Sequence, residues 1–225
     1  MDTQMIFETS QDTIEITIPA HVKRVGIKLS GGADSAIVCL MLAKHIVGER
    51  PDVELYAITS KALGKQYQVK FAKRIMLVVS TLTGIKFAGH FTNIARADNS
   101  ENYTIDQDQL VNSCYNDNLI EMHFAGITAN PTDQEAPELY KNLKSMPSDD
   151  RSKLSTKRPY RNGRSYRPLI NVDKRGVAEL YNSLGVIDTL FPVTRSCEEY
   201  TTDFEYHCEQ CWFCKERFWG FGRYV

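Results

Sequence analysis

The stretch Leu29-Ser30-Gly31-Gly32-Ala33-Asp34-Ser35-Ala36 decides how this chain is read. It follows the apolar run Val25-Gly26-Ile27-Lys28-Leu29 and leads into Ala36-Ile37-Val38-Cys39-Leu40-Met41-Leu42-Ala43, which reads as a buried helix. Strand, glycine turn and helix start therefore stand in one line. Two adjacent glycines let a backbone approach an anion closely, and the helix beyond them offers unpaired N–H groups and a positive dipole end. Ser30 and Ser35 add hydroxyl donors. Asp34 would repel a bare phosphate, so it belongs beside Mg²⁺ or as a cap for nearby N–H groups. An ordinary strand-to-helix turn also contains Gly, Ser and Asp. The strand and helix on either side favour the phosphate reading. No G-x-x-x-x-G-K-[ST] loop occurs.

Outward from this turn the pattern alternates. Residues 4–8 and 13–18 read as a hairpin around Ser10-Gln11-Asp12, closed by Pro19. The phosphate-turn strand spans 24–29, and its helix is expected to run to Val47 and stop at Gly48. Val53–Thr59 and Ile85–Ile94 read as strands, and Gln66–Thr83 as a helix with Val69, Ala72, Ile75, Met76 and Val79 on one face. Helical periodicity extends over Asp108–Ala125, with Gly126-Ile127-Thr128-Ala129 as a short strand. Strands alternating with helices predict an α/β domain around a parallel sheet. Ligands of such sheets bind at the strand carboxyl ends, where Ser30, Ser60 and Asn130 fall. Asn171 or Asp173 is placed to cap a helix from Lys174 to Leu184, ended by Gly185.

Residues 131–168 are rich in Pro, Ser, Asp, Lys and Arg. The segment 151–167 carries Arg151, Lys153, Lys157, Arg158, Arg161, Arg164 and Arg167, with Tyr160 and Tyr166 between them. A lid closing over phosphate, a nucleic-acid strip and a solvated loop all fit. The lid is favoured, because the charge is local and the net charge of the chain is only −1. A balanced charge argues against a general attraction to nucleic acid or membrane. No long apolar run and no basic-then-apolar leader are visible, so a cytoplasmic protein is expected.

Four of the six cysteines crowd into Cys197, Cys208, Cys211 and Cys214. In a reducing compartment a C-x2-C-x2-C core with one distal cysteine is a metal site rather than a disulfide framework. Four thiolates suit a closed, structural Zn²⁺, and also an iron–sulfur cluster; zinc is favoured here because the tail shows no redox machinery. His207 is a spare ligand. Such a site would pin Trp212, Phe213, Phe218 and Trp219 against the body. The domain division expected is 1–195 for the nucleotide domain and 196–225 for the metal segment.

The SGGxDS turn at Ser30–Ser35 resembles that of the PP-loop ATP pyrophosphatases, which cleave ATP between the α and β phosphates. Together with Gln66–Ile75, Pro168-Leu169-Ile170 before Lys174, Leu184-Gly185-Val186, Ser196-Cys197, the C-x2-C-x2-C knot and Arg217, the chain resembles the 7-cyano-7-deazaguanine synthases of queuosine and related pathways over residues 24–217. The resemblance implies an adenine nucleotide alpha hydrolase-like fold and a ligase using ATP, Mg²⁺ and Zn²⁺. It implies phosphate contacts from Ser30, Gly31, Gly32, Ala33, Asp34 and Ser35, adenosine contacts near Ser60 and Ala129, and Asp34 and Lys174 as the catalytic pair. A deazaguanine carboxylate would be the small-molecule substrate, and the family implies a homodimer. The chain departs from the family in two places. Gln109-Leu110-Val111-Asn112-Ser113-Cys114 lacks an Arg-Asn pair, and Ala129-Asn130-Pro131-Thr132-Asp133-Gln134-Glu135 replaces a Tyr-Pro-Asp-Cys-Arg segment. A PP-loop ATPase acting on another carboxylate, amide or nucleic-acid base, and a non-catalytic nucleotide-binding partner, are the competing readings.

Overall fold

The computed structural model describes residues 3–61, 67–94, 100–141, 163–199, 201 and 204–225. The elements run β1 (Thr3–Glu8), β2 (Thr13–Ile18), β3 (Arg24–Lys28), α1 (Ala33–Glu49), β4 (Glu54–Lys61), α2 (Tyr67–Thr83), β5 (Phe87–Ile94), α3 (Ser100–Asn116), β6 (Met122–Ala125), α4 (Pro137–Tyr140), β7 (Ser165–Tyr166), α5 (Lys174–Ser183) and α6 (Trp212–Phe221). A 3-10 turn, Phe191–Val193, precedes the cysteine segment.

The hairpin β1–β2 is antiparallel. Ile14, Ile16 and Ile18 alternate into the main core while the residues between them stay partly exposed, the period-two pattern of a half-buried strand. The second sheet has the order β5-β4-β3-β6-β7, every pair parallel. Its two faces are read from alternate residues of β4. Leu55 and Ala57 join the main core with Val25, Ile27, Met122, Phe124 and residues of α1, α2 and α5. Tyr56 and Ile58 point the other way, toward Val111, Cys114 and Ile120. Helices thus cover both faces, the α/β parallel-sheet architecture expected.

α1 is deeply enclosed, with twelve of its 17 residues buried. It packs against α2 and α5 and is touched by both hairpin strands. The hairpin tip also braces α5. Asp173 caps that helix by accepting from the Arg175 N–H at 2.9 Å. Gln11 brackets the same residue: its Nε2 donates to Asp173 Oδ1 at 2.7 Å and its Oε1 accepts from the Asp173 N–H at 2.9 Å. The helix that begins at Lys174 therefore starts from a fixed point.

Two local expectations are corrected. The helix expected over Asp108–Ala125 ends at Asn116, and Asn118 turns the chain with φ 53°. Met122–Ala125 is then a fully buried strand, and 126–129 is irregular. Gly48 does not stop α1, which continues to Glu49 and is capped by Arg50 just before Pro51. The proline is the stronger stop, since it disfavours the helical region for the residue before it.

From β3 the chain adds β4 and β5 on one side, then returns to place β6 on the other. The carboxyl ends of β3 and β6 are therefore the point where strand order reverses, the place in open α/β sheets where a crevice forms.

Candidate functional site

The glycine turn lies at that reversal. Gly31 has φ +87°, and a Cβ there would sit 2.8 Å from Phe71 Cβ on α2, so both conformation and space demand glycine. Gly32 is the N-cap of α1 and supplies no side-chain cap. The first N–H groups of the helix are thus left for an anion. Ser30 Oγ lies 3.2 Å from Ser35 Oγ, and Ser35 Oγ donates to the Gly32 carbonyl at 3.1 Å, closing the turn with hydroxyls. Two outside groups fix it. The Arg195 N–H donates to the Gly31 carbonyl at 2.8 Å, and Tyr181 Oη, from α5, donates to the Ala33 carbonyl at 2.9 Å.

Beside the turn opens a cleft of about 110 Å³, lined by Ser30, Ser35, Ser60, Gln107, Gly126 and Ile127 among others. Ser60 is the penultimate residue of β4, at the strand's carboxyl end. Ala129 does not line the cleft; it is buried, and its N–H donates to the Val172 carbonyl at 2.9 Å. Thr128 Oγ1 and Asn130 Oδ1, in the same segment, are buried without a hydrogen-bond partner among the described residues. Behind the strands a hydroxyl chain supports the turn. Thr59 Oγ1 donates to the Leu29 carbonyl at 2.7 Å and is met by His90 Nε2 at 2.8 Å. Burial, aided by Lys73, holds the His90 imidazole below its ordinary value.

Lys174 and Asp34, 140 residues apart in sequence, form an ion pair at the first turn of α1. The lysine side chain is 4% exposed and the aspartate 17%. Asp34 Oδ1, the oxygen that does not meet Lys174, has no hydrogen-bond partner among the described residues. A carboxylate oxygen with spare acceptor capacity beside bare helix N–H groups and hydroxyls fits a Mg²⁺-bearing polyphosphate. On the far side of Lys174 lies Glu216 of α6, with Oε2 3.6 Å from Nζ. Sequence reasoning missed Glu216 and Arg195. Both are charged residues of a kind usually placed on a surface, and the only signal was their proximity to Cys214 and Cys197.

Cys197, Cys208, Cys211 and Cys214 bring their sulfurs within 4.8 Å of one another. The Cys208 and Cys214 sulfurs are 3.8 Å apart, and the Cys208 and Cys211 N–H groups point at the Cys197 and Cys208 sulfurs at 3.4 and 3.3 Å. Hydrogen bonds from Cys211 and Cys214 pull the Cys197 thiol far down, and the same bond pushes Cys211 up to about 11. Four thiol sulfurs this close together form a donor set that could hold a metal ion. His207 is not in the group. Burial pushes its imidazole down to about 4, and the ring stacks on Tyr224. Arg195 organises the loop between the first two cysteines. Its guanidinium donates to the carbonyls of Cys197 (3.1 Å), Glu199 (2.7 Å), Phe204 (2.7 Å) and Tyr206. Trp212 is buried against Leu139 and Tyr140, and Trp219 carries the Arg175 guanidinium on its face. Phe218 is half exposed, contrary to its expected role as an anchor.

Of the basic segment, residues 151–162 fall outside the described residues. Arg164 is described, and its guanidinium lies over the Tyr115 ring. The segment where the Arg-Asn pair is missing belongs to α3, where Val111 and Cys114 are core residues. The replaced segment after β6 folds on itself: Glu135 Oε2 accepts from the Thr132 N–H at 2.8 Å and from its hydroxyl at 2.9 Å. No described helix is long and apolar enough to cross a membrane.

No protein-family model matches the chain, and no curated protein does. Among solved structures it is similar to the U34-tRNA thiolase NcsA from Methanococcus maripaludis with its 4Fe–4S cluster. The TM-score is 0.48 and the identity 15%, over 87% of this chain. The chain spans 64% of the length of that structure.

Proposed function

We propose that this chain is an ATP-dependent adenylating enzyme of the PP-loop type, and that the acceptor is a carboxylate, with 7-carboxy-7-deazaguanine the first to test. The observation that carries the reading is the Lys174–Asp34 pair at the uncapped start of α1, at the reversal of strand order. An uncapped helix end draws anions, and a buried ammonium beside it can stabilise charge that builds on a phosphate in the transition state.

In this reading the acceptor carboxylate oxygen attacks the α-phosphorus of ATP. The bond to the bridging oxygen breaks, and pyrophosphate leaves with its electron pair. The acyl adenylate exposes a carbon whose leaving group is AMP. Ammonia adds to it, loses a proton and expels AMP, giving the amide. A second adenylation at the amide oxygen, followed by loss of AMP and the remaining N–H protons, gives the nitrile. The backbone N–H groups of the turn, with Ser30 and Ser35, hold the departing pyrophosphate. Lys174 offsets its charge, and Asp34 orients the lysine and offers Oδ1 to a cation. Mg²⁺, when bound, neutralises the pyrophosphate oxygens.

Zinc is the ion assigned to the four cysteines. Zn–S bonds of about 2.3 Å give tetrahedral sulfur–sulfur edges of about 3.8 Å, the separation of Cys208 and Cys214. A four-iron cube spreads its thiolates over four separate metals and needs a wider cage. With four protein ligands the ion has no open position, so its role is structural.

A second reading, an acceptor other than a deazaguanine, is favoured by the segments around the site. α3 lacks the family's Arg, and residues 129–135 close into a Thr132–Glu135 turn. The test is AMP release from ATP, Mg²⁺ and ammonia with 7-carboxy-7-deazaguanine, other carboxylates and RNA as acceptors. Asp34→Ala should abolish release while the fold remains intact. Release with the deazaguanine supports the first reading, and release only with another acceptor supports the second. ATP uptake by calorimetry without release from any acceptor would leave only a nucleotide-binding protein.

A further inference from the structure

The cysteine centre and the phosphate turn meet at Lys174. α6 begins at the metal cluster, with Cys211 as its N-cap and Cys214 in its first turn. One residue beyond that turn lies Glu216, 1% exposed, with Oε2 3.6 Å from Lys174 Nζ. One turn further along lies Gly220, where a Cβ would fall 2.6 Å from Lys174 Cβ and 2.7 Å from its carbonyl oxygen. The helix therefore touches Lys174 at both its root and its tip. Arg217, the next residue, is fully buried and spends its guanidinium on neutral oxygens: the Tyr224, Phe191 and Thr194 carbonyls and the Thr194 and Ser196 hydroxyls.

We propose that Glu216 is a positioning residue: from the helix that the cysteine cluster seats, it holds the Lys174 ammonium at the phosphate turn. This role rests on the ATP reading above. A buried carboxylate is costly, and an apolar side chain of similar size would fill the same room at less expense. Glu216 stands where such a side chain would serve packing alone, and its oxygen faces a lysine that already has a carboxylate partner. Two carboxylates on one ammonium make sense when one of them is needed elsewhere. Once Asp34 turns to a cation on the polyphosphate, Lys174 loses its first partner. Glu216 then remains as its carboxylate partner and limits its swing. The helix seated by the four cysteines thus bears on nucleotide binding without any cysteine touching nucleotide.

The sign of one substitution tests this. A bystander carboxylate near a polyphosphate repels it, so E216Q would tighten nucleotide binding; a positioning carboxylate gives the opposite. The full chain, wild type and E216Q, is titrated calorimetrically with α,β-methylene-ATP and Mg²⁺, with metal content and Tm measured alongside. E216Q should bind about tenfold more weakly, the scale of coupling between contacting residues, with metal and Tm retained. In a K174M background the same substitution should have no effect or tighten binding. Unchanged or tighter binding by E216Q alone, or the same weakening with K174M, overturns the proposal. Loss of metal or folding in E216Q also overturns it, because the helix rather than the ammonium would then depend on Glu216. Wild type that takes up no nucleotide removes the ATP reading itself, and this role with it. That result is distinct from wild type and E216Q binding alike, which removes only Glu216.

Discussion

The Arg195 N–H donates to the Gly31 carbonyl at 2.8 Å, while the Arg195 side chain gathers the loop that carries Cys197 and Cys208. One residue thus serves the glycine turn with its backbone and the cysteine centre with its guanidinium. The side chain also lies over the Tyr67 ring of α2, 5.2 Å from its centroid. Arg195→Met keeps the length and loses the donors, leaving several carbonyls short of partners. Its expected cost is about 2–4 kcal/mol, a Tm lower by roughly 5–10 °C for a chain of this size, with metal affinity reduced as well. Thermal denaturation and metal content check both, and a Tm at the wild-type value would remove Arg195 from this role.

Gly31→Ala should harm both stability and nucleotide uptake. The left-handed backbone alone costs about 1–3 kcal/mol in a non-glycine residue, and the new methyl would press on Phe71 Cβ. Gly163, which also has positive φ but open space around it, is the control. Gly163→Ala should leave nucleotide binding intact. Equal binding by both variants would show that the turn tolerates a side chain and does not hug a phosphate.

Cys211→Ser should lose the metal and lower Tm, since metal binding and folding are coupled. Cys39→Ala should leave metal content unchanged, because Cys39 is buried in α1 away from the cluster and burial holds its thiol protonated. Elemental analysis separates the two. Zinc at one per chain supports the proposed ion, and iron with acid-labile sulfide would replace it.

Acid should weaken the fold through His90. Its imidazole titrates lower in the folded chain than the ordinary value of about 6.5 found in an unfolded one. Between those values the unfolded chain takes up the proton first, so stability is intact above about pH 6.5 and falls as pH drops toward the folded value. His45, also lowered by burial, adds the same sign. His90→Gln should flatten the fall, read from urea midpoints across pH 7 to 5. An unchanged slope would mean that His90 is solvated in the native state.

The sheet was legible because its strands and the glycine turn are marked locally. Apolar runs of strand length end at Gly, Ser and Asp, and α5 announces its start through Asp173. Residues 108–125 were not. The last turns of α3 carry Leu110, Val111 and Cys114, the strand carries Met122 and Phe124, and periodicity cannot separate a short buried strand from helix. The break between them rests on Asn118 in a left-handed conformation, a signal one residue long. The cysteine set was readable from spacing alone. The roles of Arg195 and Glu216 were not, because they depend on where α6 and the loop after residue 195 come to rest against distant parts of the chain. No local pattern distinguishes a buried charge from a solvated one.

Water has little access to the flanks of α1. Partial charge at the end of an exposed helix is readily shielded by dissolved ions, whereas twelve residues of this one are buried. A pocket built from surface lysines surrenders its grip as ionic strength climbs. On the ATP reading proposed above, the buried Lys174 ammonium should leave triphosphate binding less sensitive to ionic strength than a grip of exposed lysines would be.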